Sequence, residues 1–416
     1  MNGDQIMCGF PPPPEGRVRA DMVYSDPAVT RWFMQHVREV ERTANVASGA
    51  CAVSPLAVDP IDLGEVRVGD GLGGTWTVAE MLHQTSTDGI MVLAHGSVAY
   101  ERWFGTLQPE TPHLCHSITK SIASCVAGNL VDRELLDPQA AITDYVPELA
   151  GSAYGDATVR HLLDMTVGIR YTEDHEDDET EDARLDRLCG VKPSRAPDEP
   201  GSAYDYATTT VKEGEHGRVL HYVSLNTDAL GWVMERATGS GMPELIAREV
   251  WSKLGAEDDA YIALDGAGSA QLDGGFCCSL RDLARFGLML LQGGSIDGRH
   301  VVPAWWIDDI RTNGDAAAFA AAPDCGLLPS GWSYRSCFWV GERTDHVPFT
   351  GLGMYGQMVY VNREAGVAVV KFSSQPRPAD DVLVTRTFRA LESLAAVLAE
   401  MSGRSSRRRF SARYRR

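Results

Sequence analysis

Strand-forming stretches stand at both ends of this chain with a helical block between them, and few folds accept that order. Residues 89–94 and 98–105 are β-rich runs on either side of a His95-Gly96-Ser97 turn, the pattern of a hairpin. Far downstream, Met358-Val359-Tyr360-Val361 and Val367-Ala368-Val369-Val370-Lys371-Phe372 have the same character. From Ser117 to about Val250 the apolar spacing is helical instead, over residues 121–131, 159–165 and 226–238. Residues 280–291 carry another helical pattern, and one from about Asp381 to Met401 closes the series. One antiparallel sheet built from both chain ends, with flanking helices and a mostly helical insertion, satisfies this order. The expected class is α+β, with a cleft between the two parts.

Ahead of the hairpin, residues 1–84 read as an N-terminal extension. It holds Pro11 to Pro14, a helix from Asp26-Pro27 through Arg42 with proline at the first helical position, and a short helix over 78–83. Gly69-Asp70-Gly71-Leu72-Gly73-Gly74 matches G-x-G-x-x-G formally. A dinucleotide loop needs a strand before it, a helix after it and a second parallel strand, and the next strand signal is a hairpin. The main unit then covers residues 85–401, with its helical part at about 121–270. Residues 402–416 hold seven arginines without apolar period and are expected to be a disordered basic tail.

Composition narrows the function. A hydrophobic share of 44% and a charged share of 23% suit a globular protein with a large core. The net charge of −19 argues against nucleic acid and suits a neutral or cationic small molecule. The dense acidic run over 173–182 is either a solvated loop or the border of a cleft. Nine scattered cysteines without paired spacing indicate neither a disulfide framework nor a zinc site, and no metal or other cofactor is expected. No apolar run reaches the ~18–20 residues of a membrane span, and no secretion signal is visible. A cytoplasmic location with reduced thiols follows as an expectation.

The chemistry centres on Cys115-His116-Ser117-Ile118-Thr119-Lys120-Ser121. Ser117 and Lys120 are three residues apart at the start of a helix, so they share one face at roughly 5–6 Å between Cβ atoms. A Lys amine kept partly neutral by burial can take the proton of a Ser hydroxyl. The free N–H groups and positive dipole end of the first turn favour an oxyanion beside the same Ser. A helix cap followed by a solvated Lys has the same spacing, but residues 121–131 are small or apolar almost throughout, which calls for a buried helix. His116 adjoins Ser117, yet neighbouring side chains on a helix point apart, so packing is its expected role. There is no G-x-S-x-G for a Ser-His-Asp hydrolase and no H-E-x-x-H for a metalloenzyme.

Further stretches, in order, resemble the penicillin-recognising serine hydrolases of the class C β-lactamase-like branch. These are Asp144-Tyr145-Val146-Pro147-Glu148-Leu149, the run Thr158 to Ile169, His221-Tyr222-Val223-Ser224, and Asp273-Gly274-Gly275-Phe276 followed by Ser279-Leu280-Arg281-Asp282-Leu283-Ala284-Arg285-Phe286-Gly287. Tyr145-Val146-Pro147-Glu148-Leu149-Ala150-Gly151-Ser152, Leu163-Asp164-Met165 and Gly351-Leu352-Gly353-Met354-Tyr355-Gly356-Gln357 lean toward the 6-aminohexanoate-dimer hydrolases and related carboxylesterases. The resemblance implies a serine hydrolase that cleaves small amides or esters through an acyl-enzyme on Ser117, with Lys120 and Tyr222 as base relay. It places the oxyanion on the N–H groups of Ser117 and Met354, and substrate contacts at Tyr171, Ser224, Asp273 and Tyr355; Asp182 joins them if the acidic run borders the cleft rather than forming a solvated loop. Two positions depart from the pattern. Ser224 replaces the Asn of Y-x-N, and Tyr355-Gly356-Gln357 stands where K-T-G or H-x-G is expected. The missing cation argues against β-lactam or cell-wall peptide substrates. A carboxylesterase is the alternative, and a non-catalytic binding protein on this scaffold is disfavoured by retention of Ser117, Lys120 and Tyr222 together. The expected partner is a small-molecule amide or ester, with a homodimer left open.

Overall fold

The computed structural model describes residues 6–174, 177–190, 192, 201–322, 331–342 and 347–413, with side chains as far as Ser402. The two ends of the chain meet in one seven-stranded sheet. Its strands are β1 (Thr87–Ala94), β2 (Ser97–Trp103), β3 (Ser333–Arg335), β4 (Phe338–Val340), β5 (Phe349–Gly353), β6 (Gln357–Asn362) and β7 (Val367–Ser373). They lie in the order β3-β4-β5-β6-β7-β1-β2, antiparallel throughout. The joint between the ends is the β7–β1 pair, where Val369 faces Val92.

Every residue of β1 and β7 is buried. Alternate side chains go to opposite faces, as a pleated strand requires. Met91, Leu93, Ala368 and Val370 join one core with helices α1 (Ile118–Asp132), α2 (Leu225–Thr238) and α3 (Leu280–Leu291). Ile90, Val92, Val367 and Val369 join a second core with Phe388, Leu391, Leu394 and Leu398 of helix α4 (Asp381–Arg413). Helix α1 is buried from Ile118 to Leu130, as its composition demanded, so it runs through the middle of the molecule.

The hairpin, α2, α3, β6 and β7 lie where periodicity put them. Three expectations change. The first helix ends at Phe33, not Arg42, because the Met34 carbonyl that a continuing helix would use accepts the N–H of Leu114 instead (2.8 Å). The segment then supplies Thr43–Val46 to a second, four-stranded sheet beside Ala260–Ala263, Phe276–Cys278 and His113–Leu114. The stretch before the hairpin is therefore woven into the body rather than appended to it. At the other end, helix α4 continues to Arg413 where a disordered tail from 402 was expected. Gly403 and the serines are weak helix formers, but no proline interrupts the stretch and its arginines extend an already nucleated helix at little cost.

The G-x-G-x-x-G stretch is a hairpin loop between Arg67–Gly69 and Thr75–Thr77. Asp70 accepts the N–H groups of Leu72 and Gly74 at 3.0 and 2.8 Å and pairs with Arg386 at 2.8 Å. The amides a phosphate would need are taken by the loop's own carboxylate. Among the described residues, no helix is long and apolar enough to cross a membrane.

Candidate active site

Ser117 sits at a sharp strand-to-helix junction. Strand His113–Leu114 pairs with Phe276–Cys278, and Cys115 donates its N–H to the Phe276 carbonyl at 2.8 Å. His116 then turns the chain with φ of +46°, a strained value for a non-glycine residue. Thr119 secures the turn by donating its hydroxyl to the His116 carbonyl (2.7 Å) and accepting the Phe276 N–H (3.1 Å). The imidazole of His116 packs against Tyr24 and Tyr355, with centroids 6.2 and 5.5 Å away, the packing role expected of it.

One turn on, Lys120 is buried with 1% of its surface exposed. Its ammonium donates to Ser117 Oγ at 2.9 Å, to Ser224 Oγ at 3.1 Å and to the Asp273 carbonyl. Tyr222 stands close enough to Lys120 for each to act on the other's proton. Its ring lies 5.2 Å from the Lys120 nitrogen, stacks on Trp339 at 5.5 Å and meets the edge of Tyr334. The three residues predicted to carry the reaction thus converge from two distant parts of the sequence.

The protonation state differs from the simple expectation. Burial alone pushes the Lys120 amine down, but Tyr222, Glu173, Asp273 and Asp228 together hold it above its ordinary value. Burial raises the Tyr222 phenol, against the pull of Lys120, and Glu173 raises it further. The resting site is an ammonium beside a neutral phenol.

The far wall is strand β5. At Gly353 a Cβ would lie 2.5 Å from the Cys115 carbonyl and 3.1 Å from the His116 side chain, so glycine there lets the strand reach the Ser117 turn. Met354 follows directly. Among the described residues, the N–H groups of Ser117 and Met354 have no acceptor, which suits a pair waiting for an oxyanion. Gln357 clamps this turn by donating to the Met354 and Ser373 carbonyls at 3.0 and 2.7 Å. It is 1% exposed, and its side chain is spent on backbone partners. The strand alongside the Ser117 helix is Phe349–Gly353, which also carries no cation. Tyr355 is likewise given to packing. It is 5% exposed and stacks on Tyr24 with centroids 5.5 Å apart.

Acidic groups gather on the remaining side. Tyr171 donates to Asp182 Oδ1 at 3.2 Å, and both are buried. Asp273, whose carbonyl meets Lys120, has a carboxyl raised by burial, pulled down by Lys120 and raised again by Asp182. Asp228 on α2 pins this loop by accepting the Leu272 and Asp273 N–H groups at 2.9 and 3.2 Å. The acidic run is therefore split. Asp174, Asp177, Asp178 and Glu179 are exposed, Asp182 turns inward, and His175 and Glu176 lie outside the described residues. Glu173 accepts the Ser224 N–H and hydroxyl at 2.7 and 2.8 Å. Sequence reasoning had not singled out Glu173 or Asp228 as site residues. An acidic loop has no period to show which of its carboxylates turns inward.

Glu41, from the segment ahead of the second sheet, joins the same cluster. Burial, then the charges of Asp273 and Asp186, raise its carboxyl from 4.5 to about 8. The folded state then binds more protons than the unfolded one between those values, so stability falls as pH rises through that window. Glu41→Gln is expected to melt above the wild type at about pH 8 and with it at about pH 4. Thermal melts across pH measure this, and an offset independent of pH would refute it.

Comparison with known proteins agrees with the geometry. The curated 6-aminohexanoate-dimer hydrolase of Paenarthrobacter ureafaciens is 34% identical over 348 residues, covering 84% of this chain and 86% of its own. Esterase EstB of Burkholderia gladioli is 28% identical over 203 residues, 42% of this chain and 47% of its own. A solved Bacillus anthracis structure, described as a candidate 6-aminohexanoate-dimer hydrolase, superposes with a TM-score of 0.84 at 25% identity, over 93% of this chain and 99% of that one. The Beta-lactamase family model matches residues 77–394, which span both parts of the fold and every residue of the Ser117–Lys120–Tyr222 constellation. The chain belongs to the Beta-lactamase family of serine hydrolases.

Proposed function

We propose that this protein hydrolyses small amides and esters through an acyl-enzyme on Ser117. The observation that carries the reading is the 2.9 Å contact between Lys120 Nζ and Ser117 Oγ, with Tyr222 beside Lys120. The competent form is the one in which the Lys120–Tyr222 pair has first released a proton to solvent; Ser117 Oγ then attacks the carbonyl while its own proton passes into that pair. The tetrahedral oxyanion takes the N–H groups of Ser117 and Met354. Tyr222 returns the proton to the leaving amine or alcohol, and water deacylates the enzyme by the same route. The preferred substrate is an amide bearing an ammonium group, of the 6-aminohexanoate type. Support comes from the 34% identical relative and from Asp182 and Asp273, which interact with each other on the side of the site where the Asp273 carbonyl meets Lys120. A carboxylesterase is the second reading, favoured by the likeness to Esterase EstB. The scattered cysteines suit a cytoplasmic setting.

A panel of p-nitrophenyl acyl esters, an aminohexanoate dimer and nitrocefin separates these readings. Turnover of the dimer is expected to exceed that of nitrocefin by at least about tenfold, the effect of one unmatched charged contact. Ester turnover without dimer turnover would select the esterase. Nitrocefin ranked first would restore a β-lactamase.

A further inference from the structure

The departure at Ser224 has a partner 51 residues upstream. Ser224 has one hydroxyl proton, and it goes to Glu173 Oε1 at 2.8 Å. Toward Lys120, 3.1 Å away, Ser224 Oγ can therefore only accept. The Asp273 carbonyl can also only accept. Two of the hydrogens on Lys120 Nζ are thus committed, and the remaining direction points at Ser117 Oγ, 2.9 Å away. In the ammonium that direction holds a third N–H, and in the free amine it holds the lone pair that takes the serine proton. Glu173 is itself held in place. Its other oxygen accepts the Ser224 N–H at 2.7 Å, at the N-terminus of the fourteen-residue helix α2, where a carboxylate is favoured.

We propose that Glu173 is a positioning residue that acts through Ser224 to aim the reactive orbital of Lys120 at Ser117. The pair Ser224–Glu173 takes over the orienting work that the third residue of Y-x-N would do alone. Without the carboxylate, Ser224 is free to rotate and donate its proton to the Lys120 lone pair, in competition with Ser117. Charge acts in parallel. Tyr222, Glu173, Asp273 and Asp228 are the groups that hold Lys120 protonated, and removing one of them lowers the pH at which the amine is freed. Tyr171, Tyr222 and Tyr334 face Glu173 in turn.

This inference rests on the serine-hydrolase reading, and one experiment keeps the two apart. The rate at which a fluorophosphonate labels Ser117 is followed from about pH 6 to about pH 12, far enough to pass the Lys120 titration, in wild type, Glu173→Gln, Ser224→Ala and the double variant. Wild-type labelling at Ser117 is required by the hydrolase reading, and its absence sinks that reading. In Glu173→Gln the plateau rate should fall about tenfold or more as the base is misdirected. The acid limb should move about one pH unit lower, because a nearby opposite charge has been lost. The double variant should be no slower than Ser224→Ala, since both changes cut one chain of contacts. Wild-type labelling with an unmoved acid limb in Glu173→Gln, or additive losses in the double variant, would overturn the role of Glu173 alone.

Discussion

Ser117→Ala is expected to reduce turnover of every substrate by a factor on the order of 10⁵, the scale on which loss of a nucleophile removes covalent catalysis. The loss should fall on kcat, because the hydroxyl contributes a bond formed only as the reaction proceeds. Folding should survive. Lys120 keeps the Ser224 hydroxyl and the Asp273 carbonyl as acceptors, so the substitution costs about 1 kcal/mol. Mass spectrometry gives the positive half of the test. A fluorophosphonate should add its mass to wild-type Ser117 and to no residue of the variant. Ser121, one turn on, is 1% exposed and donates its hydroxyl to the Cys337 carbonyl at 2.8 Å, so it is not available as a substitute. A variant that turns over at the wild-type rate, or an adduct on Ser121, would place the nucleophile elsewhere.

What could be read from the sequence follows the range of the interactions. Ser117 and Lys120 are three residues apart on one helix, and helical geometry alone brings them together. Strands β1, β6 and β7 are buried on both sides, so their continuous apolar runs were visible. Tyr222 is a hundred residues from Ser117, and only its place in the order of family landmarks marked it. The strands Ser333–Arg335, Phe338–Val340 and Phe349–Gly353 went unseen because three to five residues do not establish a period, and Gly351 and Gly353 dilute the last. Glycine at 353 is nevertheless what lets strand β5 approach the Ser117 turn. Its value lies in space left empty, which no hydropathy pattern registers. Glu173 escaped for a related reason. One carboxylate in an acidic run is chosen by tertiary contact with Ser224, not by anything in its neighbours.

The contacts of the site also explain how two departures from the family pattern are tolerated together. Ser at position 224 is shorter than the Asn of the family pattern, and Glu173 engages both its N–H and its hydroxyl. The lost cation of the third motif leaves strand β5 neutral, while Asp182 and Asp273 stand on the opposite side. A cleft with that polarity repels a substrate carboxylate and attracts a substrate ammonium. Both changes move the same site in one direction.

Lys120→Met tests whether the central cation serves stability as well as chemistry. Methionine fills a similar volume, so packing along α1 is retained, but the buried charge among Tyr222, Glu173, Asp273 and Asp228 is gone. Turnover should fall by about 10³–10⁴, the usual loss when general base and proton store are removed together. Stability should fall by about 3–5 kcal/mol at neutral pH, because removing one partner leaves buried carboxylates unpaired. The pH dependence fixes the cause. The folded-state affinity of Lys120 for its proton is raised, so its contribution in the wild type is fully present below the ordinary lysine value of 10.5 and lost only in more alkaline solution. In the variant the penalty comes from Asp228 and Asp273, whose carboxyls burial already raises, and it vanishes once both are protonated. The gap between wild type and variant should therefore be largest near neutrality and close as the solution is acidified. Denaturant unfolding at a series of pH values measures it. A gap that stays constant with pH would mean that Lys120 stabilises the fold through its aliphatic stem rather than its charge.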